Sequence, residues 1–428
     1  MKEKIVLLLS LLSLSTASLA AEEESEQRYR VYGFVRNYFY TDSRETFSVL
    51  GDMYDVAPLD RKLNELGEDL NAEPHSRMLA ITTRLGVEIN GPNILGGKSD
   101  GRIECDFAGF STTTYMLRLR HAYFRTKWDR QSLLVGQTWH PMCPRGEPEV
   151  IAFAMGSPFS CGGRQAQIQY NYRFGKNRYW SVTAASLWQL QYKSPGPEGE
   201  SYTYQRSGMI PEFFLGIDYE RNGFSIGTGV DFLYIEPRQH GEWEYTHGGV
   251  TDTITRKVNE HVSSFTPFAY VAYKKGKFSM EIKSFLGSNA AQLSLISGYG
   301  VTKVKDNGSR EYKPLHCSSS FINFAYGKKV KVNLFLGYHK NLGIDGHLHD
   351  FSTSGTPSYT LYMRGGLTNM DQMYRIAPNI TYNIAHFTLG LEYEYNVAAY
   401  GTVKSDATVT DCHNVVNHHV LGMVKYSF

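Results

Sequence analysis

The stretch MLRLRHAYFRTKW (116–128) alternates leucine with arginine and then becomes rich in aromatic residues. Alternation with a period of two predicts a β-strand with one apolar face and one cationic face. In a water-soluble sandwich the cationic face would lie in bulk water. In a transmembrane barrel Arg118 and Arg120 would face an aqueous lumen, because an arginine in hydrocarbon costs about 2–4 kcal/mol near the bilayer midplane. The rest of the chain has to distinguish these two folds.

The chain repeats this alternation in segments that are separated by two kinds of connection. Turns rich in Gly, Asn, Asp and Lys, which suit hairpins, alternate with long polar connections. The turns lie at 90–98, 128–131, 175–177, 220–223, 274–277, 327–330 and 383–386. The long connections lie at 41–77, 109–114, 139–163, 194–208, 237–260, 290–315, 342–369 and 401–414. A sandwich would not need so many long loops on one edge. The pattern therefore predicts an all-β fold, a transmembrane antiparallel up-and-down β-barrel of about 16 strands.

The first residues of the chain predict export. Two lysines precede an apolar run that ends in small residues before Ala20. This order is typical of a secretory signal peptide, so we expect cleavage near Ala20. The predicted organisation is a signal peptide at 1–20, a short N-terminal extension at 21–27 and the barrel at 28–428.

The composition agrees with a barrel in the outer membrane of a Gram-negative bacterium. After the signal peptide, no apolar run approaches the roughly 18 residues that a membrane helix needs. The 30 Tyr and 23 Phe residues could form the aromatic girdles of such a barrel. The net charge of +2 does not indicate a nucleic-acid partner. We expect outer-membrane lipid around the chain.

Strand parity assigns a set of charged side chains to the inner face. The predicted pore-lining residues are Arg36, Arg84, Arg102, Glu104, Asp106, Arg118, Arg120, Arg173 and Arg375. Most are arginines, which stay ionised and bind carboxylates in a bidentate manner. This favours a lumen that attracts anions. The alternative is that these charges only pair with one another, as in many polar lumen walls.

The connection at 139–163 is a candidate constriction loop. It is rich in Pro and Gly but has an apolar centre at 150–155, which a loop in solvent rarely carries. Folded inward, it would bring Arg145, Glu147 and Glu149 to the narrowest part of the lumen. Acidic groups facing basic ones across a constriction would sort solutes by charge. The alternative is a loop that caps the mouth or meets a partner protomer.

Three smaller motifs complete the local predictions. Cys143 and Cys161 bracket the constriction loop and are a candidate disulfide, with the free thiols left open as the alternative. Leucines at helical spacing in PLDRKLNELGEDL (58–70) predict a short helix. The motifs HLHD (347–350) and DCH (411–413) have no partner at metal-ligand spacing, so no metal site and no cofactor are predicted.

Three segments together resemble a known family. GPNILGGKSDGRIECDFAG (91–109), LRLRHAYFRTKW (117–128) and LLVGQTWHPM (133–142) are similar to the DcaP-like trimeric porins and their relatives in Bacteroidetes-type bacteria. The resemblance implies a sixteen-stranded outer-membrane channel that assembles as a homotrimer and admits small, often anionic, solutes. It also implies that Arg102, Arg118 and Arg120 line the eyelet. The short N-terminal extension, the acidic IECDFAG segment and the cysteine pair depart from the family.

These observations favour a passive diffusion channel, a porin without enzymatic activity, for small hydrophilic and anionic solutes. An adhesive or structural barrel with a closed lumen is one alternative. A barrel hydrolase is another, which would need a nucleophile, a histidine and an orienting group at one rim. Ser319 and His316 illustrate the residue types available, but no motif marks a catalytic triad.

Overall fold

The computed structural model describes residues 28–50, 52, 54–108, 116–350 and 360–428. The predicted signal peptide, its cleavage near Ala20 and the 21–27 extension lie outside the described residues. The strands, in chain order, are β1 (Tyr29–Asp42), β2 (Thr46–Val49), β3 (Tyr54–Pro58), β4 (His75–Leu79), β5 (Arg84–Ile94), β6 (Gly97–Asp106), β7 (Arg118–Lys127), β8 (Gln131–Trp139), β9 (Arg164–Phe174), β10 (Trp180–Trp188), β11 (Glu212–Arg221), β12 (Phe224–Ile235), β13 (His240–His247), β14 (Val250–Lys257), β15 (Val262–Lys275), β16 (Phe278–Ser288), β17 (Gly298–Val304), β18 (Arg310–Gly327), β19 (Val330–Ile344), β20 (Leu361–Met363), β21 (Met370–Ile384), β22 (Phe387–Val403) and β23 (Val409–Ser427). One short helix, α1 (Thr203–Gly208), and two 3-10 turns, Ala291–Leu293 and Arg364–Gly366, are also present.

Nineteen of these strands form one antiparallel sheet that closes on itself. β4 and β5 pair with successive parts of β1 and act as one wall strand. β17 and β20 are short extra strands that pair with each other beside β18. β1 pairs with β23 from Phe34–Ser427 to Asp42–His419, which closes the barrel. The predicted fold, a closed antiparallel barrel of sixteen wall strands, is confirmed.

The tight turns and most of the long connections lie where the sequence predicts them, and the connection predicted at 109–114 lies outside the described residues. Seven tight turns join neighbouring wall strands, and in the β11–β12 turn Asn222 and Gly223 both have positive φ, 52° and 81°. An Asn-Gly pair suits this hairpin geometry, since both residues tolerate the left-handed region. The long connections hold the separate hairpins β2–β3 and β13–β14. The long loop predicted at 401–414 is wrong, because β22 and β23 extend to Val403 and from Val409.

The helix predicted at 58–70 is also wrong. The segment is a loop closed by an isolated bridge between Leu63 and Asp69. The Asp69 carboxylate accepts hydrogen bonds from Arg44 Nη2 at 3.1 Å and from the backbone N–H of Lys62 at 3.0 Å. These bonds lower the pKa of Asp69 below its usual value. A carboxylate that binds the backbone locally competes with helix formation, which explains the difference.

The wall has two chemically distinct faces. Leu117 and Leu119 are 64% and 43% exposed, whereas Arg118 and Arg120 between and beside them are 3% and 2% exposed. The outer face elsewhere carries exposed aliphatic and aromatic side chains, such as Trp180. The alternation predicted from the sequence is therefore confirmed for this strand. No helix in the described ranges is long and apolar enough to cross a membrane.

Apolar clusters also form where the connection after β8 packs against wall strands. Ile151 and Ala152 pack with Tyr38 and Leu421. Phe159 of the same connection packs with Phe335 in a second cluster. The core is thus formed by contacts between this connection and inward apolar side chains, in addition to the sheet itself.

The outer face generates a prediction about stability in lipid. Leu215 is exposed near the middle of β11. In lipid vesicles, Leu215→Arg should lower the free energy of unfolding by about 2–4 kcal/mol, because the guanidinium would face hydrocarbon. Urea unfolding followed by tryptophan fluorescence measures the change. The matched control is Leu95→Arg in the β5–β6 turn, expected to cost about 0–1 kcal/mol. Equal effects of the two substitutions would contradict the assignment.

Candidate functional site

A network of buried ion pairs lies on the inner face of β6 and β7. The Arg118 guanidinium donates to both oxygens of Asp106, from Nε at 2.9 Å and from Nη2 at 2.7 Å. Arg120 donates to Glu104 at 2.7 Å and to Asp106 at 3.0 Å. The two carboxylates and the two guanidinium groups therefore satisfy one another. Breaking one member of such a buried pair costs about 3–5 kcal/mol, so this network rigidifies the wall.

Aromatic side chains cover these pairs. The Arg118 guanidinium lies 5.7 Å from the ring centre of Phe153, and Arg120 lies 5.8 Å from the Trp139 ring. Phe153 belongs to the apolar centre of the 139–163 connection. The four predicted lining residues of this network lie on the inner face, but their burial removes them from direct contact with solvent.

Three basic groups beside the network are only half-buried, and we call them the basic surface: Arg36, Arg84 and Lys425. Arg36 Nε donates to Thr82 Oγ1 at 2.9 Å and has no carboxylate partner among the described residues. Arg84 Nε lies 3.4 Å from Glu104, an oxygen that Arg120 already binds. Lys425 stands opposite Arg36 in the β1–β23 register. Positive charge therefore exceeds negative charge at this surface.

The other predicted arginines lie in different settings. Arg102 pairs with Glu88 and is half-buried. Arg173 is exposed towards the end of β9. Arg375 is buried, with Nε 3.1 Å from Glu394, and its Nη1 donates to the carbonyl oxygen of Ser157 at 3.2 Å. The charge of Arg375 is thus engaged by the wall and by the 139–163 connection.

The connection after β8 is held by polar side chains of several distant strands. Arg145 Nε donates to both oxygens of Asp218 on β11, at 2.8 and 2.9 Å. The buried ammonium of Lys283 on β16 donates to the carbonyl oxygens of Met142 at 2.7 Å and of Arg145 at 2.6 Å. Glu149 forms an ion pair with Lys331 on β19. None of β11, β16 and β19 is a neighbour of β8 in the sheet.

Glu392 on β22 binds the backbone of this connection directly. Its carboxylate accepts the backbone N–H groups of Ile151 at 2.7 Å and of Ala152 at 2.8 Å. Asn379 Nδ2 donates to the same carboxylate at 2.8 Å. On β1, which is separated from β22 by β23 in the sheet, the Tyr38 hydroxyl donates to the carbonyl oxygen of Ile151 at 2.9 Å. Backbone groups of the connection are therefore satisfied by the wall.

Two glycines make room for this docking. A Cβ atom on Gly337 would overlap the ring of Phe159, and one on Gly390 would lie 2.8 Å from Ile151 Cδ1. Both glycines lie on wall strands, β19 and β22. The absence of a side chain at each position allows the apolar residues of the connection to approach the backbone of the sheet closely.

Glu147 differs from the other two predicted residues of the loop. Its side chain is exposed and has no hydrogen-bond or ion-pair partner among the residues that the structure describes. Desolvation by neighbouring residues raises the pKa of its carboxyl, while the charges of Lys283, Arg120 and Arg84 act in the opposite direction. Glu147 thus lies in the field of the basic groups without pairing with any of them.

Cys143 and Cys161 are both buried free thiols in the structure, so the candidate disulfide is not formed there. The Cys143 thiol donates instead to the carbonyl oxygen of Gly163, at 3.9 Å. Both pack in one cluster with Met142 and Leu187. The two side chains are therefore brought together, and the pairing itself stays a prediction.

Arg164 is a residue of this region that the sequence patterns missed. It is buried, and its guanidinium lies 4.6 Å from the Trp139 ring centre and 5.5 Å from that of Tyr192. Parity along β9 places it on the side of Ala166, the outward side. Strand parity fails at Arg164 because this residue begins the strand and packs against the aromatic side chains of Trp139 and Tyr192. No sequence signal marks such packing.

The residues named for the hydrolase alternative are not partners. Ser319 Oγ is 2.7 Å from His339 Nδ1, inside the barrel wall. His316 Nδ1 is 2.7 Å from Ser288 Oγ, and its Nε2 is 3.4 Å from the exposed Asp345. A working triad would also need donors for an oxyanion beside the serine. No such donors are identified among the described residues, so the geometry does not support a hydrolytic site.

Comparisons with known proteins agree with the fold. No family model matches the sequence, and no curated protein matches it. The outer membrane channel DcaP of Acinetobacter baumannii is similar in structure, with a TM-score of 0.64, 18% sequence identity and coverage of 95% of this chain and 100% of that one. OmpT of Vibrio cholerae, expressed in the outer membrane, has a TM-score of 0.51 and 12% identity, with coverage of 95% and 100%. At these identities the likeness shows the fold alone, a closed outer-membrane-type β-barrel.

Proposed function

We propose that the protein is a porin of the outer membrane, a passive diffusion channel for small hydrophilic solutes with a preference for anions. The observation that carries this proposal is the basic surface of Arg36, Arg84 and Lys425 on the inner face of a closed barrel. These groups are half-buried and are not neutralised by carboxylates of their own. The similarity in fold to an outer membrane channel supports the same conclusion.

Electrostatics gives the physical basis for the preference. Charges on a low-dielectric wall around a narrow aqueous space concentrate counter-ions, and the effect grows as the space narrows. An excess of guanidinium and ammonium groups therefore raises the local concentration of anions such as carboxylates. Guanidinium groups add bidentate hydrogen bonds to planar carboxylates, which selects by geometry as well as by charge.

We propose further that the 139–163 connection narrows the passage. Its contacts with β11, β16, β19 and β22 support this, because they join it to strands far from β8 around the barrel. Glu147 is then an acidic group near the basic surface, and a solute would pass between opposite charges. The predicted pore-lining role of the buried arginines Arg118 and Arg120 becomes indirect, since they fix the wall on which the half-buried groups of the basic surface lie.

The membrane location and the assembly belong to the same proposal. The signal peptide with cleavage near Ala20, insertion among outer-membrane lipids, and a homotrimer are what the sequence and its resemblance to the DcaP-like porins imply. Size-exclusion chromatography with light scattering on protein extracted in mild detergent measures the assembly. A mass of three chains supports the trimer, and a single-chain mass contradicts it.

Planar-bilayer recordings test the channel and its charge preference. The wild-type protein should give stepwise currents and a reversal potential on the anion side in a salt gradient. In the double variant Arg36→Glu/Arg84→Glu, the anion-to-cation permeability ratio should fall about twofold or more, because the basic surface becomes acidic. A silent wild-type protein over many insertions would rule out a channel.

A matched control variant shows whether the permeability ratio responds to the local field of the basic surface or only to the total charge of the protein. Lys176→Glu changes the charge in the same sense in the β9–β10 turn, where the side chain is exposed. The permeability ratio of this variant should stay at the wild-type value. A shift in the control as large as that in the double variant would mean that the basic surface does not border the ion path.

Hydrogen exchange tests the docking of the connection. Glu392→Gln keeps the shape of the side chain but loses the charge and one of the two acceptor oxygens. The amides of Ile151 and Ala152 should then exchange about tenfold faster, since a hydrogen bond to a charged group contributes about 1.5–3 kcal/mol. Mass spectrometry of peptides from this region measures the rate. Glu220→Gln, at the exposed end of β11, is the control, and equal rates in both variants would contradict the assigned contact.

A further inference from the structure

Away from the basic surface, three potential metal ligands meet at the long-loop end of the barrel. Asp42 is the last residue of β1, Asp55 lies in the β2–β3 hairpin and His419 lies in β23. His419 Nδ1 is 2.9 Å from Asp42 Oδ1 and 3.6 Å from Asp55 Oδ2. Donor atoms that share one ion at bond lengths of about 2.1 Å lie about 3.0–3.4 Å apart. The spacing is therefore close to that of a shared coordination shell.

One oxygen in this group lacks a partner. Asp42 is buried, and its Oδ1 accepts hydrogen bonds from Asn417 Nδ2 at 2.6 Å and from His419. Its Oδ2 has no hydrogen-bond partner among the described residues. His75 Nε2 lies 3.6 Å from this oxygen, too far for a hydrogen bond. A buried carboxylate oxygen without a partner is costly, and a cation would satisfy it.

A small cavity adjoins the same group. It is lined by Asp55, His419 and Glu394, together with Tyr38 and Tyr40, and has room for about one water-sized species. Glu394 is neutralised by Arg375 at 3.1 Å, which leaves Asp42 and Asp55 facing histidines. The site thus combines free space, two carboxylates and imidazole nitrogens.

A second buried group shows why this arrangement differs from an ordinary polar cluster. His140, Glu212 and Asp231 also lie within 4.8 Å of one another. The backbone N–H of Met142 donates to His140 Nδ1 at 3.2 Å, so a neutral ring carries its proton on Nε2, the atom facing Asp231. A protonated nitrogen cannot bind a metal. His419 Nδ1 donates its proton to Asp42 in this structure. Its Nε2 makes no hydrogen bond within the described part of the chain, so the ring proton can reside there when an ion takes Nδ1, whereas His140 Nδ1 is occupied by the Met142 N–H.

We propose that Asp42, Asp55 and His419 bind a divalent transition-metal ion of the Zn²⁺ type. A donor set of one imidazole and two carboxylates suits Zn²⁺, whereas Mg²⁺ prefers six oxygen donors. The bound ion joins the β2–β3 hairpin to the wall strands β1 and β23. The site is independent of the proposed channel function, since it uses none of the basic-surface residues.

Metal binding to the purified, tag-free full chain tests the proposal. After treatment with a chelator, isothermal titration with ZnCl₂ should show one ion per chain, unaffected by an excess of Mg²⁺. In Asp42→Asn and in His419→Gln the affinity should fall about tenfold or more, because each substitution removes a donor. Circular dichroism verifies that each variant retains the β-sheet spectrum.

Two further variants keep the test decisive. Asp55→Asn changes a residue of the β2–β3 hairpin, which is outside the wall sheet. This variant should weaken Zn²⁺ binding even if the variants in the wall strands fail to fold. Asp231→Asn removes a carboxylate from the second cluster and should bind Zn²⁺ as the wild type does. The proposal is overturned if no stoichiometric binding occurs, if Asp55→Asn binds normally, or if only Asp231→Asn loses the ion.

Discussion

Closure of the sheet between β1 and β23 is the constraint on which the rest of the structure depends. Each wall strand has a hydrogen-bonded neighbour on both sides, so the backbone of the wall leaves no unpaired edge. Closure also divides the side chains into an inner and an outer set, because successive residues of a strand point to opposite faces. Apolar residues can then occupy the outer face while charged residues such as Arg118 and Asp106 occupy the inner face.

Charge on the inner face has two distinct roles. Where guanidinium groups are buried, carboxylates bind them directly, as Asp106 binds Arg118 and Glu394 binds Arg375. At the half-buried Arg36 no carboxylate of the described residues binds the guanidinium, and Arg84 shares a Glu104 oxygen that Arg120 already binds. The first arrangement holds strands and the 139–163 connection in position. The second leaves a surplus of positive charge beside the enclosed space, and the function that we propose depends on it.

The sequence predicted the barrel well because the relevant signal is local. Alternation and tight turns depend on neighbouring residues, and both are confirmed. The leucine-rich segment at 58–70 was misassigned because Asp69 binds backbone and side-chain groups that a helix pattern does not include. The last long loop was overestimated because β22 and β23 continue pairing beyond the alternating region.

The site was less predictable because its contacts join residues far apart in the chain. Parity identified the inner-face arginines but could not show which of them are enclosed by Phe153 and Trp139. Asp42, Asp55 and His419 have no metal-ligand spacing in the sequence, since only the closure of β1 on β23 brings them together. Such groups become visible only when the register of the sheet is known.

Gly337 and Gly390 have a consequence for how such a barrel can diversify. Each forms a shallow recess in the wall that receives a side chain of the 139–163 connection, Phe159 or Ile151. A larger residue in either recess would push the connection away from the wall, with no change in sheet pairing or in the charged groups. Under the channel function that we propose, internal width can therefore evolve through these two positions, separately from the charges of the basic surface.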